Sequence, residues 1–131
     1  MFLKFRVKAA IAKFITMNGL HSDTLQFFES GPIDCFMPLV EQNSFDANQG
    51  AVAVITATIT NGAKNGALTQ LKLHAPNVYQ DLIALWRFCG GLFVDDEQRW
   101  GYAVIVGDIV GNPFDYAERD FHIQNATDKF P

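Results

Sequence analysis

At 131 residues and 14.6 kDa the chain has the length of a single domain. With 49% hydrophobic and 18% charged residues it is too apolar to be a disordered segment, yet too polar in every window to cross a membrane. A net charge of −4 makes nucleic acid an unfavoured partner, because phosphate binding calls for a basic footprint.

Taken in chain order, residues 3–17 predict a helix. Leu3, Val7, Ala10, Ile11, Phe14 and Met17 recur on one stripe, and Asn18-Gly19 supplies residues that tolerate a left-handed terminus. The alternation of Phe5 and Val7 with Lys4, Arg6 and Lys8 also allows a strand over residues 2–7. A short helix follows, opened by Asp23 and Gln26 as a capping box and stopped by Gly31-Pro32. Residues 33–40 read as an extended edge segment because Pro38 cannot donate to a ladder, and the polar stretch 41–50 reads as a loop.

AVAVITATIT, residues 51–60, predicts a strand from its β-branched content. Asn61-Gly62 and Asn65-Gly66 then predict a hairpin turn, with residues 67–74 returning as a strand. Lys64 lies between two glycines, but the phosphate-loop pattern is absent. Residues 77–89 predict a helix capped by Asn77 and Gln80 and ended by Gly90-Gly91. Residues 92–94 and 100–106 read as a second hairpin, Asn112-Pro113 opens a last short helix, and the tail after about residue 124 is expected to fray. The expectation is one α+β domain over residues 1–131. Its antiparallel sheet has four or five strands (51–60, 67–74, 92–94 and 100–106 among them), with helices packed on one face.

Charge is divided in blocks. Residues 1–22 carry Lys4, Arg6, Lys8 and Lys13 without an acid, and residues 23–63 carry Asp23, Glu29, Asp34, Glu41 and Asp46 without a base. Blocks of opposite sign attract each other within one fold or across a dimer. Cys35 and Cys89 form neither a disulfide framework nor a zinc spacing. Lys8 and Lys13 break any signal-like apolar run, so the sequence reads as cytoplasmic with reduced thiols.

No motif for catalysis or a cofactor is evident. The weak catalytic candidates are His21, His74 and His122, with Asp108 as a carboxylate partner. The weak metal candidates are Asp95 and Asp96, whose side chains point apart in a turn. Cys35 beside Asp34, and Cys89 at a helix C-terminus, lack the cations that activate thiols.

The compositional oddity is 12 phenylalanines, seven of them within the first 45 residues: Phe2, Phe5, Phe14, Phe27, Phe28, Phe36 and Phe45. A small interior does not hold them all, so they form the candidate interface. The leading expectation is an interaction or ligand-binding domain without catalysis, partnered by itself as a homodimer or by another protein. A small ligand is a further option for the partner. The alternatives are a small enzyme with a pocket histidine and carboxylate, and contact of the basic N-terminal helix with anionic membrane or nucleic acid.

Overall fold

Asp46 decides the centre of the structure. Its carboxylate accepts the Gln49 N–H at 2.8 Å while the Gln49 side chain accepts the Asp46 N–H at 3.1 Å, a capping box that starts a helix. The computed structural model describes residues 2–90, and among them six helices and no strand. They are α1 (Phe2–Met17), α2 (Ser22–Glu29), α3 (Pro32–Gln42), α4 (Ala47–Asn65), α5 (Ala67–His74) and α6 (Pro76–Gly90). The described residues up to Leu85 form one compact unit, and a second begins at Trp86.

The expected α+β fold is therefore overturned, because the two strands at the heart of the sheet, 51–60 and 67–74, are helices. Ala51, Val54, Ile55, Thr58 and Ile59 are buried at i, i+3, i+4, i+7 and i+8, a helical stripe hidden in a run that also alternates. The threonines fit the helix by returning their hydroxyls to it. Thr56, Thr58 and Thr60 donate to the carbonyls of Val52, Val54 and Thr56 at 2.8, 2.6 and 2.7 Å. Asn61-Gly62 lies inside α4 instead of forming a turn. Gly66 does take the left-handed conformation, at φ 82°, but there it separates α4 from α5.

Residues 33–40 are helical as well. Pro32 starts α3 at a position where its missing N–H costs nothing, and Ile33, Met37 and Val40 are buried on one face. Pro38 is carried inside the helix, exposed, and marks no sheet edge. In residues 67–74, Leu68 turns inward and Leu73 outward, the latter 69% exposed. A segment of that length satisfies period 2 or period 3.6 equally well. The expectations for 92–94, 100–106, the last short helix and the tail lie outside the described residues.

The helices read correctly from the sequence are α1, α2 and α6. Residues 2–7 are helix, Ile15 replaces Met17 in the buried stripe of α1, and Gly19 ends that helix at φ 65°. The two expected caps do not form: α2 starts one residue before Asp23, and Asn77 lies inside α6 after Pro76.

α4 is the axis on which α1, α3 and α5 pack. The closest approach is at Gly50, where an added Cβ would lie 2.9 Å from both Val7 Cγ2 of α1 and Val40 Cγ1 of α3. Only a residue without a side chain lets three helices meet there. The opposite charge blocks meet within the fold: Lys4 pairs with Asp34, and Lys8 lies 3.5 Å from Glu29. These pairs are exposed and tie α1 to α3 and α2 weakly.

Candidate functional site

Two features of the first unit gather polar or apolar groups around one point. The first is a cavity of about 270 Å³ between the end of α2, the start of α3, the end of α4 and α5. Its wall is largely apolar, with Phe27, Pro32, Phe36, Leu68 and Leu71. Cys35, Thr58, Asn61 and Asn65 supply the polar edge. The geometry follows from the helix junctions. Gly66 folds α5 back beside α4, and Pro32 begins α3 beside the end of α2, so four short ends surround a space that no single side chain fills. Part of the polar edge is already engaged: Thr58 donates to Val54, and Asn65 Oδ1 accepts the Ala67 N–H at 2.9 Å.

The second feature is the carboxylate of Asp81. It is 5% exposed at its side chain and accepts three donors from the start of α2. The His21 backbone N–H donates to Oδ2 at 2.8 Å and the Thr24 hydroxyl at 2.7 Å. The His21 ring donates from Nδ1, 3.0 Å from Oδ2 and 3.2 Å from Oδ1. The pair is satisfied with the hydrogen on Nδ1 and both carboxylate oxygens accepting. His21 is the N-cap of α2 but makes no side-chain cap of its own; Asp81 reaches across from α6 to satisfy that helix end.

Asp81 was absent from the expected site residues, although the sequence carries its signal. It stands with Val78, Leu82 and Leu85 at i+3 on the buried stripe of α6, where a lone acid needs donors. Thr24, fully buried beside it, was missed for lack of any local pattern.

Of the catalytic candidates, His21 meets a carboxylate, though not the one expected. His74 is exposed at the last position of α5, while His122 and Asp108 lie outside the described residues. Asp95 and Asp96 lie outside them too. Among the described residues no three His, Cys, Asp or Glu side chains converge as a metal site. Neither His21 nor Asp81 lines the cavity.

The seven phenylalanines divide three ways. Phe14 and Phe28 are core residues, at 6% and 0% exposure. Phe27, Phe36 and Phe45 are half-buried, Phe27 and Phe36 in the cavity wall, and Phe27 meets Phe28 edge-on at 5.4 Å. Phe2 and Phe5 stand open, at 83% and 62%. Of the thiols, Cys35 is exposed and Cys89 buried, and burial pushes the Cys89 thiol up to about 12.

Comparison with known proteins finds no matching family model, no similar curated protein and no similar solved structure. Among the described residues no helix is long and apolar enough to cross a membrane.

Proposed function

We propose that the helical unit is a binding domain without catalysis, and that the cavity among α2, α3, α4 and α5 is its ligand site. The observation that supports this is an apolar recess with a polar edge, the usual composition of small-molecule sites. About 270 Å³ lies just under the common range for drug-sized ligands, so the occupant is one ring or a branched aliphatic group with a single hydrogen-bonding substituent. Phe27 and Phe36 offer ring faces and edges to it, and Asn61 offers an amide.

Titration of the full chain with single-ring probes such as indole and phenol, followed by NMR, tests the reading. Shifts centred on Phe27, Phe36, Leu68 and Leu71 are expected, and Ala67→Phe, which places a ring at the exposed rim, should abolish them. Probe shifts scattered over the surface, or unchanged in Ala67→Phe, would overturn it. Light scattering on the same samples reads the homodimer expected from the aromatic surplus.

The enzyme reading has one supporting observation, the His21–Asp81 contact. It ranks second because that pair sits away from the cavity and serves a helix end.

A further inference from the structure

α1 has two faces of different chemistry. Val7, Ala10, Ile11, Phe14 and Ile15 are buried. Phe2, Phe5, Arg6, Ala9, Lys13 and Met17 are all exposed, and their spacing of i, i+3, i+4, i+7, i+11 and i+15 confines them to about a third of the helix circumference. Lys4 and Lys8 point to the flank, drawn to Asp34 and Glu29, whereas no acid pairs with Arg6 or Lys13 among the described residues. The outer face thus presents two open aromatic rings on its first turn and two unmatched cations, in a stretch of 22 residues without an acid.

We infer that this face of α1 docks on the surface of a bilayer containing anionic phospholipid, with Phe2 and Phe5 entering the headgroup boundary and Arg6 and Lys13 meeting the phosphates. The charge requires an anionic occupant. A second copy of the chain is disfavoured by charge: joining this face to itself gathers Arg6 and Lys13 of two copies with no acid from either face between them. A protein groove that takes a helix wants apolar anchors over at least two turns. Here the two rings of the first turn are parted from Met17, the other large apolar residue of the face, by Arg6, Ala9 and Lys13. A duplex nucleic acid would meet Arg6 and Lys13 but leave the open rings of Phe2 and Phe5 in water. An interfacial bilayer asks only for rings at one depth and cations beside them. It is also compatible with a helix unable to span.

The test is co-sedimentation of the full chain with vesicles of phosphatidylcholine alone and of phosphatidylcholine mixed with phosphatidylserine. Binding to the mixed vesicles is expected, weakened by salt and about tenfold or more above that to the neutral ones. The double variants Phe2→Ser/Phe5→Ser and Arg6→Glu/Lys13→Glu should each reduce it about tenfold or more. Leu73→Ser, at an exposed leucine of α5, should leave it unchanged. All these positions are exposed, so circular dichroism and Tm should match the wild-type chain and separate lost docking from lost folding. Equal binding to both vesicles, no binding to either, or insensitivity to both double variants would overturn the inference. So would a dimer that Phe2→Ser/Phe5→Ser dissociates, which would assign the face to a second copy.

Discussion

Nδ1 of His21 lies 3.0 Å from Oδ2 of Asp81, sixty residues further along the chain, and the same oxygen accepts the His21 backbone N–H. One buried carboxylate on α6 therefore does for the N-cap N–H of α2 what the N3 side chain of a capping box does locally. The ring of His21 is 58% exposed and is the most dispensable of the three donors.

That ordering has a consequence for stability. Asp81→Ala strands the Thr24 hydroxyl and the His21 N–H, and should cost about 2–4 kcal/mol in urea unfolding. His21→Ala keeps its backbone donor and should cost under about 1 kcal/mol. Equal losses in the two variants would refute the capping role and favour the ring itself as the important group.

Gly50→Ala should destabilise. Its Cβ would press on Val7 and Val40, both fully buried, at 2.9 Å, for a cost of about 1–3 kcal/mol against a helix-propensity gain of at most about 1 kcal/mol. In a Val40→Ala background the penalty should shrink, and denaturant midpoints of the four chains measure the coupling.

Pro38→Ala should stabilise. The proline is exposed within α3 and removes the N–H that would bond to the Asp34 carbonyl. Restoring it without disturbing packing is worth about 1–3 kcal/mol, read as a rise in Tm.

Alkaline pH should weaken the fold through Cys89. Burial raises its thiol from 9.0 to about 12, so the folded chain holds a proton that the unfolded chain releases. The stabilisation is complete below pH 9 and is lost progressively as pH climbs toward 12. Tyr79, raised by burial, contributes with the same sign. Cys89→Ala should flatten the decline in unfolding free energy across that window. In the native state at pH 8 a thiol reagent should label Cys35 and spare Cys89.

The elements that were legible share a property. α1 and α6 carry apolar residues at a period that suits only a helix, and α2 is bounded by Asn18-Gly19 before it and Gly31-Pro32 after it. In α4 the same letters satisfy two periods, since Val52, Val54, Thr56 and Thr58 alternate with alanine and isoleucine. β-branched content tilts the reading to strand, while the capping box at Asp46 and the threonine hydroxyls returned to the helix carry the opposite weight. Once α4 is helical, the glycines after it become a helix end and the returning segment becomes α5.

The sequence by itself determined the punctuation of the chain, the amphipathic stripes of α1 and α6, the separation of charge and the excess of phenylalanine. Only the tertiary structure decided which of those rings stay open, which acid meets His21, and that a cavity lies among four helix ends. The reason is physical: period and propensity act over neighbouring residues, whereas burial, a shared carboxylate and an unfilled volume belong to side chains brought together from distant positions.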